Sequence, residues 1–265
     1  MTLPDESVLT EAGLLVAIDG AVATVTLNKP EKRNCQDPQM WYALAAIGAG
    51  LPADIRIVVI KGEGPTFSAG LDLSLIGQDA GPGSVASLMN ASDAEIIETI
   101  GGYQEGFTWL ADPNILTIAQ VQGAAVGAGF QLALACDLRV VADNAKFCMK
   151  EPALGMVPDL TGTKPLVDTV GYSRALEICA TARFVEATEA QDLGIATYVV
   201  PLDELDATTK GLTDAVLANN AGAVRGTKAL LREAPRRDLD AQRLAERTAQ
   251  VERFRELAVL FGGNN

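Results

Sequence analysis

The sequence predicts an α/β fold with a parallel sheet, followed by a helical C-terminal region. Strand patterns alternate with helical patterns between residues 14 and 200, two of the strands run into glycine-rich loops, and the pattern after Pro201 is helical. Such alternation is typical of parallel strands covered by helices. We therefore divide the chain into a core, residues 1–200, and a helical region, residues 201–265.

The N-terminal elements are a hairpin, a helix and a buried strand. Residues 14–19 and 21–27 are rich in β-forming residues on either side of Asp19-Gly20, which predicts a β-hairpin. Residues 40–51 have helical periodicity and close on glycines before a proline, which predicts a helix. Residues 55–61 are a continuous apolar run, which predicts a strand buried on both faces.

The remaining elements follow from the same patterns. The Gly/Ser-rich stretch 77–90 predicts a mobile loop, and an amphipathic helix is expected from Ser92 to about Leu110. The other segments with strand or helical patterns are strands at 115–121, 138–141 and 196–200 and helices at 161–170, 203–219, 221–233 and 240–260. Pro235 separates the last two helices, because proline removes a backbone donor.

Composition excludes several classes of protein. With 265 residues, 48% of them hydrophobic, the chain can bury a large core without disulfides. Its four cysteines lack metal-binding spacing, so we expect reduced thiols and no metal site. No secretory signal and no apolar run of about 18 residues is present, so we expect a soluble, cytoplasmic protein without membrane spans.

Charge and the absence of histidine narrow the chemistry further. The net charge of −13 repels phosphate backbones, so we expect no nucleic-acid partner. A chain without histidine has no Ser-His or Cys-His nucleophile pair and lacks the commonest metal ligand. Proton transfer near neutral pH must therefore use carboxylates, Lys, Tyr or Cys.

Two glycine-rich loops can present backbone N–H groups to one anion. Residues 121–150 contain an apolar strand that runs into Gly and Ala where a helix begins, and such a helix start leaves its first N–H groups free. Residues 60–73 have the same organisation. Two N–H donors at a developing oxyanion stabilise it, and removal of one costs about 3–4 kcal/mol in known enzymes.

Four segments carry a resemblance to a known family. They are TLNKPEKRN, GEGPTFSAGLDL, VQGAAVGAGFQLALACD and KEPALGMVPDLTGT, and over nearly the whole chain they resemble the crotonase superfamily of enoyl-CoA hydratases and isomerases. The resemblance implies a spiral of repeated ββα units and a C-terminal helical trimerisation region. It also implies a homotrimer or dimer of trimers, and an acyl-CoA thioester as substrate.

The resemblance assigns the oxyanion donors to the backbone N–H groups of Leu71 and Ala128. Glycine is usual at the second position, so Ala128 is a departure from the pattern. Its N–H remains available if the backbone there is helical, whereas a required positive φ would penalise the methyl group. The alternative is that the glycines in these loops only make tight turns and allow close helix–strand packing.

The proton-transfer positions depart from the hydratase pattern. Hydratases of the family carry two glutamates, and these positions correspond to Gln131 and Glu151. A glutamine orients water but cannot accept its proton, so hydration should be impaired. Glu151 by itself can remove and return one proton, which favours double-bond isomerisation. The alternatives are a buried Gln131 without a catalytic part and a surface Glu151 paired with Lys150.

Asp159 lies eight residues after Glu151, and an acidic residue at this offset occurs in the dienoyl-CoA isomerase and 3-hydroxyisobutyryl-CoA hydrolase branches. Neither branch matches fully. The alternative is an N-cap or a loop acid at the start of the helix at 161–170, with Thr161 as a competing cap. An atypical hydratase with Asp159 as base, a thioester hydrolase and a non-catalytic acyl-CoA-binding protein therefore stay open beside the isomerase.

The expected substrate-binding residues surround the loops, and coenzyme A enters as part of the substrate, with no separate cofactor. By resemblance, the segment with Lys29, Lys32 and Arg33 runs beside the CoA moiety and supplies the cations that an acidic protein needs near phosphate. The further substrate-contact candidates are Ser68, Ala69, Gly70, Asp72 and Gly127. The apolar candidates for an acyl pocket are Leu75, Met89, Phe107, Trp109 and Met156, although apolar residues at helical spacing more often belong to the core.

Overall fold

The computed structural model describes residues 2–76 and 84–262, and the described residues form a mixed α/β fold. The strands are β1 (Leu14–Asp19), β2 (Val22–Leu27), β3 (Ile57–Gly62), β4 (Leu116–Val121), β5 (Ala124–Val126), β6 (Leu138–Ala142), β7 (Lys146–Cys148), β8 (Val185–Glu186) and β9 (Tyr198–Val200). The α-helices are α1 (Glu6–Glu11), α2 (Pro38–Gly50), α3 (Val85–Leu88), α4 (Asp93–Thr108), α5 (Ala128–Ala135), α6 (Thr163–Val170), α7 (Tyr172–Thr181), α8 (Ala187–Asp192), α9 (Leu205–Leu217), α10 (Ala221–Glu233) and α11 (Leu239–Gly262). The predicted α/β class is confirmed.

The main sheet contains six strands in the order β1-β2-β3-β4-β6-β9. β1 and β2 pair antiparallel as the predicted hairpin, and every other neighbouring pair is parallel. The apolar run of β3 is buried on both faces, since Val58 and Ile60 belong to the main core and Ile57 and Val59 to a second core. A parallel sheet covered on both sides requires such a strand.

A second, smaller sheet positions the site. Its strands are β5, β7 and β8, and β5 and β7 run parallel with Val126 opposite Cys148. The chain passes from β4 through β5 into α5, and from β6 through β7 towards α6, so the order of long strand, short strand and helix occurs twice. The ends of β5 and β7 therefore lie side by side, and both lead into the candidate site.

Local capping explains where two helices begin. α2 starts at Pro38, two residues before the predicted start, because the carboxylate of Asp37 accepts a hydrogen bond from the Met40 N–H. α4 starts after Ser92, as predicted, and Ser92 and Glu95 form a capping box. α6 starts at Thr163 instead of residue 161, because Thr161 has a φ of 71°, outside the helical region.

The stretch predicted as a mobile loop, 77–90, lies partly outside the described residues, which omit 77–83. From Val85 to Leu88 it forms the short helix α3, capped by Ser84. The mobility of this stretch stays a prediction.

The C-terminal helices differ in how they contact the sheet. α9 packs on it, and Leu205 is buried together with Ile57 and Ile118. α10 has no fully buried residue, but the Lys228 ammonium donates to the Ile115 carbonyl at 2.6 Å and to the Asp137 carboxylate at 2.7 Å. α9 therefore belongs to the core by its packing. The division of the chain at residue 200 stays a prediction.

Candidate active site

The two glycine-rich loops lie against each other. The Ser68 N–H donates to the Ala124 carbonyl and the Val126 N–H donates to the Ser68 carbonyl, each at 3.0 Å. Gly70 has a φ of 84°, and a Cβ there would lie 2.3 Å from the Val126 carbonyl oxygen and 3.4 Å from the Ala128 nitrogen. Only glycine allows this approach, and the approach brings Leu71 close to the start of α5.

The N–H groups of Leu71 and Ala128 have no protein acceptor in the described part of the chain. Ala128 is the first residue of α5, and the first N–H groups of a helix have no partner within it. The positive φ in this loop falls on Gly127, at 52°, while Ala128 is helical. The methyl group of Ala128 is therefore accommodated, and its N–H is retained.

Both loops line a cavity of about 270 Å³. The wall is mainly apolar, with two carboxyl groups, one ammonium group and one phenol. The lining residues are Pro38, Trp41, Ala69, Gly70, Leu71, Leu73, Leu75, Val85, Leu88, Ile100, Tyr103, Val126, Gly127, Ala128, Lys150, Glu151, Leu154, Met156, Val157, Asp159 and Leu160. A small, apolar cleft with a few polar groups is typical of a small-molecule site.

Glu151 follows β7 and is buried, with 8% of its surface exposed. Its Oε1 accepts a hydrogen bond of 2.6 Å from the Gln131 Nε2, whereas its Oε2 is buried with no partner in the described residues. Burial raises the pKa of Glu151, and the Asp159 charge adds to this effect. The alternative of a surface acid paired with Lys150 is wrong, because the side chain is buried and bonded to Gln131.

Gln131 is fully buried, in the second turn of α5, and does not line the cavity. Its Oε1 accepts hydrogen bonds from the backbone N–H of Leu160 at 2.9 Å and of Gly162 at 3.1 Å. With the bond to Glu151, both ends of the amide are engaged. These hydrogen bonds of the amide are all to protein groups. A catalytic role for Gln131 stays a prediction.

Asp159 lines the cavity and is half-buried. Burial raises the pKa of its carboxyl group. Asp159 is not the cap of α6, because Gly162 is its N-cap and makes no side-chain cap hydrogen bond. The alternative of an acid in the loop before the helix stays open. The structure thus brings Glu151 and Asp159 to one cavity, as two carboxyl groups that burial keeps easier to protonate than usual.

Three of the candidate substrate-contact residues lie in different positions relative to the cavity. Ser68 is fully buried, and its hydroxyl donates to the Asn34 carbonyl and accepts from the Gly70 N–H, so it holds the first loop. Ala69 lines the cavity. The Asp72 carboxylate accepts two hydrogen bonds from Ser74, which lower its pKa, and it is not part of the lining.

The candidate CoA-binding cations lie outside this cavity. The Lys29 ammonium is 2.6 Å from the Asp37 carboxylate, and its stem packs beside Gly13. Lys32 is exposed and lies 3.7 Å from Asp72, and Arg33 is exposed with its carbonyl bonded to the Ala69 N–H. Arg33 and Lys32 are thus next to the first loop, while Lys29 is engaged by a carboxylate.

Sequence reasoning missed several lining residues. Trp41 and Tyr103 come from α2 and α4, pack at 4.9 Å between ring centroids, and carry no local motif. Lys150 is exposed and lines the cavity next to Glu151. Of the apolar candidates, Leu75 and Met156 line the cavity, whereas Phe107, Trp109 and Met89 do not.

Two kinds of feature are absent from the described residues. No helix in them combines the length and apolar character needed to cross a membrane. Within the same ranges, no group of three or more His, Cys, Asp or Glu side chains is placed to hold a metal ion. The four cysteines are free thiols, three of them buried.

Comparisons with known proteins agree on one family. A family model described as enoyl-CoA hydratase/isomerase matches residues 17–260. A Mycobacterium bovis protein described as enoyl-CoA hydratase echA8 is 30% identical over 241 residues, which are 90% of this chain and 88% of the relative. The peroxisomal Delta(3,5)-Delta(2,4)-dienoyl-CoA isomerase of Arabidopsis thaliana is 29% identical over 80% of this chain and 78% of its own length.

A solved structure has a closer likeness. A protein from Thermobifida fusca YX, described as an enoyl-CoA hydratase in complex with CoA, is 50% identical, has a TM-score of 0.92, and is matched over 97% of this chain and 98% of its own. A structure from the same organism under the same description contains acetoacetyl-CoA and has the same identity and TM-score.

Proposed function

The chain belongs to the enoyl-CoA hydratase/isomerase family, and from this premise we propose that it isomerises a double bond of an enoyl-CoA thioester through an enolate. The observation that carries the proposal is the Glu151 carboxylate, whose Oε2 is buried and unbonded within the described residues at the wall of the cavity. Such an oxygen is placed to exchange a proton with a bound ligand.

The reaction requires one base and one oxyanion site. The Glu151 carboxylate removes a proton from the α-carbon of a 3-enoyl thioester, and the electron pair passes to the thioester oxygen as a dienolate forms. The N–H groups of Leu71 and Ala128 donate to that oxygen. The protonated Glu151 then returns the proton at the γ-carbon, which moves the double bond and restores the carboxylate.

The position of Gln131 favours isomerisation over hydration. Hydration needs a group that activates water, and the Gln131 amide is buried behind Glu151 with both of its ends bonded to protein groups. An amide also cannot accept a proton from water. A reaction that needs only one carboxylate is therefore the better match.

Asp159 supports a second candidate, hydration with an atypical base. Its carboxyl group lines the same cavity and has a raised pKa, so it could take a proton from water while Glu151 serves the α-carbon. The same pair could move a proton along a dienoyl thioester, as the likeness to the dienoyl-CoA isomerase suggests. An Asp159→Asn variant should keep the isomerisation that needs only Glu151 and should lose both of the reactions that need Asp159.

Product analysis by mass tests the proposal. The protein is incubated with 2-enoyl-, 3-enoyl- and 3,5-dienoyl-CoA in parallel, in ordinary and in deuterated water. A moved double bond at unchanged mass in ordinary water supports the isomerase. Gain of one water supports the hydratase, release of free CoA supports a hydrolase, and tight binding without any product would leave only a binding protein.

We also propose a homotrimer or dimer of trimers. Large apolar side chains on and beside α10 and α11 are exposed in the single chain; they include Leu231, Leu239, Leu244, Phe254 and Phe261. Large exposed apolar side chains on two neighbouring helices support an interaction surface there, and a second copy of the chain is the partner that the family resemblance implies. Light scattering after size-exclusion chromatography measures the mass, and a monomer would contradict the proposal.

Other expectations from the sequence stay predictions. They are the absence of a cofactor apart from the coenzyme A of the substrate, the absence of a nucleic-acid partner, and the cytoplasmic location.

A further inference from the structure

The hydrogen bonds around Gln131 fix the orientation of its amide group. Two backbone N–H groups, from Leu160 and Gly162, point at one end of the side chain, so that end must be the carbonyl oxygen. The amide nitrogen therefore faces Glu151 and donates to its Oε1 at 2.6 Å. Backbone N–H groups can only donate, so these two groups identify the oxygen end of the amide and thereby its nitrogen end.

The surroundings leave Glu151 little freedom. A Cβ on Gly127 would lie 3.2 Å from the Glu151 Oε1, so the N-terminal turn of α5 fits closely against the carboxylate. A Cβ on Gly162 would lie 2.5 Å from the Gln131 Cγ, so the loop fits equally closely against the amide. The Glu151 carboxylate and the loop that follows Asp159 are thus joined through one buried side chain.

We propose that Gln131 is a positioning residue, which holds one carboxylate oxygen of Glu151 and the backbone of residues 160–162 together, so that the other oxygen of Glu151 faces the substrate. This rests on the proposed function of Glu151 as the base. In this role Gln131 acts through Glu151 and does not bind water or substrate.

Glutamate could not replace the amide without a change in charge. A carboxylate at position 131 can still accept from Leu160 and Gly162, but its second oxygen would face Glu151 Oε1 at about the present 2.6 Å. Two carboxylates at this distance cannot both be ionised, so one proton is shared. The amide donates a hydrogen bond to Glu151, whereas a carboxylate in its place would compete with Glu151 for a proton. The amide therefore favours the ionised form of Glu151.

Other titratable groups near Glu151 do not provide this contact. Asp159 and the thiols of Cys148 and Cys179 interact with it electrostatically, and Lys150 precedes it in the chain. α5, which carries Gln131, has no charged residue. The hydrogen bond from Gln131 is therefore the contact to the Glu151 side chain that a substitution can change selectively.

Gln131→Glu is the test variant, because it keeps the volume and both loop hydrogen bonds. We expect it to fold, with a KM close to that of the wild type. We expect kcat near neutral pH to fall at least about tenfold and the acid limb of the kcat profile to move up by about one pH unit or more. Wild-type kcat with an unmoved acid limb would overturn the proposal.

Gln104→Ala is the matched control. The Gln104 Nε2 donates to the Asp159 carbonyl at 2.7 Å, so its removal loosens the same loop without touching Glu151. The acid limb should stay in place in this variant. Equal losses in both variants, with neither limb moved, would mean that Gln131 acts only on the loop and would also overturn the proposal.

An NMR titration covers the cases in which Gln131→Glu does not fold or the wild type converts none of the enoyl-CoA compounds. The Gln131 side-chain amide proton is followed against pH in the wild type and in Glu151→Gln. We expect one transition in the wild type, at the pH of the acid limb where turnover is measured, and none in the variant. No transition in the wild type would overturn the positioning role whether or not the proposed activity is found.

Discussion

The cavity wall around Glu151 and the loop with Lys29, Lys32 and Arg33 are both expected to contact an acyl-CoA, yet they are built differently. The wall is buried, and its glycines and backbone hydrogen bonds hold each donor in place. In the loop, Lys32 and Arg33 are exposed, and Lys29 is bonded to Asp37. The groups expected to take part in proton transfer are therefore held in fixed positions, as electrostatic stabilisation of an oxyanion requires, whereas two of the three cations expected beside phosphate are exposed charges that salt screens.

The largest expected effect is that of Glu151→Gln, which removes the proposed base from the cavity wall. We expect kcat for the isomerisation to fall about 10²- to 10⁴-fold, the usual contribution of a general base, with little change in acyl-CoA affinity. Glu98→Gln removes an exposed carboxylate from α4 and serves as the control in steady-state kinetics. Retained turnover in Glu151→Gln would remove the base from the proposed mechanism.

The second effect is that of Gly70→Ala, which tests whether the wall must be fixed. The added Cβ meets the Val126 carbonyl and should displace the Leu71 N–H, so kcat should fall about 10²-fold. Gly20→Ala is the control, since Gly20 lies in the β1–β2 turn, has a φ of 54° with nothing within 4 Å of its Cβ position, and is not part of the cavity lining. It should lose stability but keep kcat. Equal kcat losses in both would mean that strain, and not the donor, is responsible.

A smaller effect concerns stability. Burial raises the pKa of Glu151 in the folded protein above its value in the unfolded chain. The contribution of this group to the free energy of unfolding is therefore fully present below the unfolded pKa and is lost as the pH rises through the folded pKa. Glu151→Gln has no such loss. We expect the variant to melt at a higher temperature than the wild type above that pH, by a few degrees, and the difference to vanish in acid. A constant difference across the pH range would contradict the burial argument.

The smallest effect is expected in the exposed loop. Lys32→Ala should raise the KM for an acyl-CoA about two- to fivefold at low salt and leave kcat unchanged, because a single exposed charge contributes up to about 1 kcal/mol. Lys164→Ala is the control, since both lysine side chains are 62% exposed. Equal behaviour of the two variants would take Lys32 away from the CoA-binding surface.

The sequence predicted most of the long elements, although it missed the ten-residue helix α7, and of the strands with two or three residues it predicted only β9. β1 and α10 have their predicted boundaries, because alternation and helical periodicity extend over several residues there. β5, β7 and β8 were missed because strands of two or three residues are too short for any period to show. They form through pairing with one another, and yet they position the site.

The candidate site was predicted as separate segments and assembled only by folding. The glycine-rich loops and Glu151 were named from their motifs, and all three line one cavity. Trp41 and Tyr103 lie on helices that are far in sequence from Glu151. The apolar patterns of these helices are those of ordinary core residues, so no spacing could assign the two residues to the cavity. Likewise, the pairing of Lys29 with Asp37 depends on side-chain directions that the sequence does not show.

By itself, the sequence determined the α/β class, the family resemblance, the acidic surface and the restriction of proton chemistry to groups other than histidine. These properties depend on composition, on periodicity and on motifs that are local in the chain. Only the tertiary structure decided that the Gln131 amide faces Glu151, that one oxygen of Glu151 is left without a partner in the described residues, and that Ala128 is helical. Those facts depend on burial and on contacts between residues far apart in the chain, which packing alone sets.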